Sequence, residues 1–143
     1  QYIGMGGRLD TLQAAILDVK LKLYNHNILK RQNVADFYTH LLKNQIDSIP
    51  FVNDKCSSVW AQYSIRLSDR EFVQKTLKEK GIPTAIYYPK PLHLQECFRY
   101  LGYKKGDFKI SEAISKDIIS LPMNPYLSNN EQSYIVEQLL KII

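Results

Sequence analysis

The sequence predicts an α+β domain in which a small, mostly antiparallel sheet is covered by helices and preceded by two long helices. Three observations carry that expectation. Leu9, Leu12, Ile16, Val19 and Leu23 recur at three- and four-residue steps, the stripe of a packed helix face. Residues 58–67 alternate, with Val59, Ala61, Tyr63, Ile65 and Leu67 on one face and Trp60, Gln62, Ser64 and Arg66 on the other, which is the pattern of a half-buried strand. Helical stretches with marked ends separate the remaining short strand candidates.

The first helix follows a glycine-rich tract, GMGGR, at residues 4–8. Asp10 is its expected N-cap, with Gln13 reaching back in a D-x-x-Q capping box. A second apolar set, Ala14, Leu17, Leu21 and Tyr24, lies beside the first stripe, so this helix needs partners on two sides. Asn25, His26 and Asn27 interrupt the pattern, and a second helix runs from there to about residue 42 on Ile28, Ala35, Tyr38 and Leu42.

Residues 48–52 form a short strand candidate and residues 53–55 a turn, ahead of the strand at 58–67. The next helix, at 68–80, opens on Ser68 with Glu71 as a capping box and closes on Gly81, with Phe72, Val73 and Leu77 inward. Residues 82–88 read as a strand halted by Pro89 and Pro91, whose rings lack an N–H for the ladder. A short helix at 94–101 stops at Gly102. A helix at 111–120 is broken by Leu121, Pro122 and Met123, which add an edge strand or loop. Ser128 with Glu131 opens the last helix, whose face is Ile135, Leu139 and Ile142.

The chain has 143 residues, 45% hydrophobic and 23% charged, the composition of an ordinary globular domain. No apolar run reaches the roughly 18 residues of a membrane span and no signal peptide opens it, so a cytoplasmic setting and no membrane partner are expected. The first residue is Gln and the opening lies in mid-motif, so the chain reads as a piece of a longer protein. Cys56 and Cys97 lack C-x-x-C spacing and His26, His40 and His93 are scattered, giving neither a metal set nor a disulfide framework. A net charge of +5 draws anions without choosing between nucleotides and nucleic acid.

Two places display chemistry. Arg8 stands just outside a helix start, where the backbone aims its guanidinium at a fixed position. Tyr87, Tyr88 and His93 cluster at a strand end with a proline-stiffened exit, a location where binding groups collect.

The tracts GMGGRLDTLQAAILDVKLK, WAQYSIRL, GIPTAIYYPKPLHLQ, LGYKKGDF and SLPMNPYL, in this order, closely resemble the C-terminal portion of DegT/StrS-type nucleotide-sugar aminotransferases. These are pyridoxal-phosphate enzymes of the aspartate-aminotransferase (type I) fold. The resemblance implies that residues 1–45 are an interface loop and long helices leading from a missing large domain, and that residues 46–143 are the small C-terminal domain.

It implies transfer of an amino group, usually from L-glutamate, to a keto group of a nucleotide-linked sugar, with the 3-keto uronic acid type the most similar subgroup. The pathway implied is glycan biosynthesis. The Schiff-base lysine would lie upstream, so no catalytic residue is assigned here. Arg8 would grip a substrate anion across a homodimer interface, since a guanidinium holds carboxylate or phosphate through two parallel bonds. Tyr87 and Tyr88 match a segment that lines the substrate pocket, and His93 matches a P-L-H segment on the substrate side. The family's cofactor-phosphate Asn is replaced by Gly6, which offers only its backbone N–H.

Two other readings compete. A basic α+β domain with Trp60, Tyr87 and Tyr88 on strands resembles a nucleic-acid-binding module, although the motif of an RNA-recognition sheet is absent and lysines alternate with acids. A dimerisation domain that has lost catalysis is the third, with Gly6 as its sole hint.

Overall fold

The computed structural model describes residue 4, residues 7–46 and residues 48–143. Helix α1 (Thr11–Lys22) passes into α2 (Tyr24–Leu42) across the single residue Leu23. After an irregular segment come β1 (Tyr63–Arg66), α3 (Arg70–Glu79), two 3-10 turns (Leu92–Leu94 and Glu96–Leu101), α4 (Lys109–Asp117), β2 (Ile118–Leu121) and α5 (Asn129–Leu140). The two strands pair antiparallel, Tyr63 opposite Leu121 and Arg66 opposite Ile118, and Ala85 adds one antiparallel bridge to Ser120. The expected small antiparallel sheet under helices is present, with fewer and shorter strands.

Proline sets that length. β2 ends against Pro122, which has no N–H to offer, so residues before Tyr63 have no ladder to join. The strand expected over 58–67 therefore shrinks to four residues, and Trp60 turns inward with φ 49°, breaking the alternation that put Val59 on the buried side. The segment 82–88 keeps only the Ala85 bridge, since Pro83 and Pro89 flank it. Residues 48–52 are not a strand, although the Ser48 carbonyl accepts from the Arg66 N–H. The helix expected to continue to 120 stops at Asp117, and Ile118 to Leu121 are the strand instead.

The helix ends follow the expected capping signals in part. At α5 the full capping box forms between Ser128 and Glu131. At α3 the N-cap is Asp69, in the left-handed region at φ 50°, which places Glu71 too early to close a box with Ser68. Asp10 is the N-cap of α1, but its carboxylate makes no capping bond. The break between the first helices lies at Leu23, and the Asn25, His26 and Asn27 triplet sits inside α2. Gly81 closes α3 at φ 76°, with the Ile82 N–H donating to the Leu77 carbonyl at 2.9 Å, the hydrogen-bonded C-terminal motif that glycine permits. Phe72, expected inward, is exposed beside buried Val73 and Leu77.

The core is organised by the C-terminal half of α2, where Val34, Ala35, Tyr38 and Leu42 are buried at helical spacing. Tyr38 packs 5.1 Å from the Tyr63 ring, which lies 5.8 Å from Trp60. Each polar end in this stack has a partner. Tyr38 Oη donates to the Pro122 carbonyl at 3.0 Å, and Trp60 Nε1 donates to Gln32 Oε1 at 2.8 Å. Arg31 Nη1 donates to the Trp60 carbonyl at 2.8 Å, and Gln132 Nε2 of α5 donates to the Val34 carbonyl at 2.8 Å. Burial pushes the Tyr38 phenol far above its ordinary pKa, with the nearby Tyr63 adding to the shift, so it remains a donor.

α1 is the opposite case. None of its residues is buried, and Leu9, Leu12, Ile16, Leu17, Val19 and Leu21 are exposed, so its two apolar faces have no cover within the described residues.

Replacing Tyr38 with Phe leaves the Pro122 carbonyl short of a donor and is expected to cost about 1 kcal/mol. Tyr38→Ala is expected to cost about 3–5 kcal/mol through the cavity it opens. Denaturant midpoints of the two variants check both figures.

Candidate functional site

Beyond the Ala85 bridge the chain leaves the sheet through Tyr87 and Tyr88, is stiffened by Pro89 and Pro91, and turns in the 3-10 segment that carries His93. α4 supplies the facing wall through Ser111, Ile114 and Ser115, with Phe108 before it and Ile118 after it. Between them lies a cavity of about 370 Å³ lined by Tyr87, Tyr88, Lys90, His93, Phe108 and Ser111 among others. No carboxylate lines it, and Lys90 is the one permanently charged group on its wall.

The back of the cavity is fixed from α3. Arg70 Nη1 donates to the Ser115 carbonyl at 2.6 Å and reaches the Ile118 carbonyl at 3.4 Å. These are carbonyls at and just past the last turn of α4, where a cation satisfies free acceptors and meets the negative end of the helix dipole.

The floor is held by Glu112. Its Oε1 accepts from the Gly106 N–H at 2.7 Å and lies 3.0 Å from His93 Nε2, and the His93 and Glu112 side chains are only 7% and 13% exposed. The bond from Gly106 chiefly holds the Glu112 carboxyl below its ordinary value, against the opposing effect of burial, and the bond to His93 adds a lesser lowering. The His93 ring is 4.8 Å from Phe108, and Phe108 meets Tyr103 edge-on at 5.1 Å, so the loop over 103–108 is clipped onto the 3-10 turn by one carboxylate and two aromatic contacts.

The structure therefore brings together three of the residues singled out from the sequence. Tyr87 and Tyr88 expose their rings at the cavity mouth, 5.8 Å apart and edge-on, and His93 is sunk in its wall. Arg8 does not line this cavity. It is exposed ahead of α1, and among the described residues it makes no hydrogen bond or ion pair. Gly6 lies outside the described residues. Trp60, counted with Tyr87 and Tyr88 as a stacking platform in the nucleic-acid reading, is buried and hydrogen-bonded in the core.

Glu112, Gly106, Lys90 and Phe108 were missed by sequence reasoning. The acid in the first turn of an amphipathic helix, just after a Gly-containing loop, was the available signal for Glu112.

A second concavity, about 910 Å³ and apolar, runs between α1 and the segments at Val59, Ala61, Pro125 and Tyr126, with Leu9, Leu17, Leu21, Tyr24 and Ile28 along it. Arg8 is next in sequence to Leu9, which lines this groove.

Among known proteins, the model of the DegT/DnrJ/EryC1/StrS aminotransferase family matches residues 1–140. A pleiotropic regulatory protein of Geobacillus stearothermophilus is 41% identical over 140 residues, which cover 96% of this chain and 38% of that protein. The UDP-2-acetamido-2-deoxy-3-oxo-D-glucuronate aminotransferase of Pseudomonas aeruginosa is 42% identical over 125 residues, covering 87% of this chain and 34% of that one. Among solved structures, a DegT DnrJ EryC1 StrS aminotransferase from Brucella abortus superposes with a TM-score of 0.83 at 39% identity, over 96% of this chain and 36% of that one. DesV of S. venezuelae, in complex with a ketimine intermediate, superposes with a TM-score of 0.85 at 25% identity, over 94% and 36%. The chain thus spans little more than a third of the length of these relatives.

Because the folded Glu112 has a depressed pKa, its stabilisation is complete above the ordinary carboxylate range and is lost as pH falls through the depressed value. Glu112→Ala is expected to lower the melting temperature at neutral pH and to flatten the acid limb of a melting-temperature profile. An unchanged acid limb would remove Glu112 from that role.

Proposed function

The chain belongs to the DegT/DnrJ/EryC1/StrS aminotransferase family, and on that premise we propose that it is the C-terminal part of an enzyme that moves an amino group, from L-glutamate, onto a keto group of a nucleotide-linked sugar. A 3-keto uronic acid is the sugar class favoured, because the Pseudomonas relative named for such a substrate is 42% identical. The observation that carries the reading is the convergence of Tyr87, Tyr88 and His93 on one cavity with no carboxylate in its lining. Phenols and an imidazole there offer donors and an acceptor to a polyhydroxylated ring, and Lys90 offers a cation to its anionic substituents.

Pyridoxal phosphate, when bound in such an enzyme, supplies the electron sink that lets nitrogen pass between amino acid and ketone. The described residues do not by themselves fit as its holder. Every lysine among them is exposed except half-buried Lys30, which lies over the Tyr126 ring and lines a different hollow. Glu112, the acid bonded to the lining residue His93, is engaged with Gly106 and His93. These residues act as a substrate wall, and the reactive amine belongs to sequence upstream of Gln1.

The domain division follows from the same reading. Residues 1–45 lead from the large domain and residues 46–143 form the small domain, with the C-terminal half of α2 packed into the latter's core. The uncovered apolar faces of α1 support a homodimer in which Arg8 reaches the partner's substrate. Among the described residues no helix is long and apolar enough to cross a membrane, and the setting proposed is the cytoplasm, in polysaccharide biosynthesis.

In the complete enzyme, Arg8→Ala is expected to raise KM for the sugar nucleotide about 10- to 100-fold, the loss of a charge-assisted hydrogen bond, and Tyr88→Phe to raise it less. The 143 residues alone are expected to show neither cofactor absorbance nor transamination. Turnover by that isolated piece would overturn the proposal.

A further inference from the structure

His93 lines the cavity wall, but its partners dictate more than position. Glu112 Oε1 receives two contacts, the Gly106 N–H and His93 Nε2. An ionised carboxylate only accepts, so the imidazole must present Nε2 as N–H, and in the neutral ring this leaves Nδ1 as a lone pair. Among the described residues nothing bonds to Nδ1. Nor is it sealed in the interior, since the sealed, unpartnered polar atoms there are Arg70 Nε and Gln132 Oε1. The ring lines the cavity, its flank is held by Phe108 at 4.8 Å, and the segment carrying it is stiffened by Pro89 and Pro91.

We propose that Glu112 is a positioning residue which fixes His93 in the Nε2–H tautomer, so that Nδ1 serves as the cavity's hydrogen-bond acceptor for a hydroxyl or amide N–H of the bound sugar. The hydroxyls of Tyr87, Tyr88 and Ser111 rotate and can either donate or accept, and Lys90 can only donate. Freely rotating hydroxyls and an ammonium would bind a sugar without orienting it. One fixed acceptor sunk in the wall supplies that orientation, and an analogue lacking the matching donor leaves Nδ1 unpaired, which is where discrimination comes from. The inference rests on the aminotransferase reading for the identity of the ligand, while the tautomer rests on the geometry alone.

The test uses the complete enzyme with histidine ¹⁵N labelling, His93→Asn assigning the signal. In the wild type, His93 is expected to carry its proton on Nε2, and the Nδ1 resonance is expected to shift when UDP-N-acetylglucosamine is added as an unreactive sugar nucleotide. Both contacts fall on Oε1, so Glu112→Gln with its amide oxygen at that position is expected to keep the Nε2–H tautomer, whereas Glu112→Ala removes the shared acceptor and is expected to let the proton move to Nδ1. Glu112→Ala should also raise KM about tenfold with a smaller change in kcat, a split that a merely structural role would not give. A wild-type proton on Nδ1, an Nδ1 resonance unmoved by saturating probe, or a Glu112→Ala enzyme that is less stable but has an unaltered KM would each overturn the proposal. If Glu112→Ala fails to fold, the wild-type spectra decide alone. Absence of all transaminase turnover in the wild-type complete enzyme would instead overturn the functional reading and leave the tautomer to be judged by its spectrum.

Discussion

The Tyr38 phenol, sealed inside the domain and bonded to the carbonyl of Pro122, is the contact on which the remaining architecture hangs. Pro122 is the residue that ends β2, so this one bond ties the central helix to the end of the sheet. β2 in turn fixes β1 through four paired positions and Ala85 through a bridge at Ser120. From Ala85 it is two residues to Tyr87, where the cavity begins. A side chain in the core thus determines, through short and mostly covalent steps, where the binding wall stands.

The first two helices show how a nearly continuous rod can serve two environments. α2 buries four residues and gives up a backbone carbonyl to Gln132 of α5, while α1, one residue away, buries none. Apolar side chains left in water along a helix and beside a groove of about 910 Å³ are costly for an isolated domain. That cost is consistent with a chain whose relatives are nearly three times as long.

Much of this was legible in the sequence, and the failures share a cause. The α5 capping box, the Gly81 terminus and the buried stripe of α2 depend on neighbours a few residues away, which a linear pattern contains. The strands were overextended because strand length depends on the partner. Nothing within residues 58–62 reveals that Pro122 will stand opposite them. Phe72 was expected inward because periodicity reports which side is apolar, not whether anything covers it. In the site, Tyr87, Tyr88 and His93 were visible as a cluster on a stiff loop. Glu112 was not, because its significance lies in a contact with His93 across 19 residues and with a backbone N–H that no side-chain pattern records.

Arg70 gives the cavity an unequal build. Its guanidinium clasps two carbonyls of the α4 terminus from behind, while the front edge at residues 87–92 is held by prolines and carries exposed side chains. The rear is a chassis shared with the sheet, and the front is a set of interchangeable fittings. Substitutions at the rim can therefore retune what the cavity admits without reopening the question of whether the polypeptide folds.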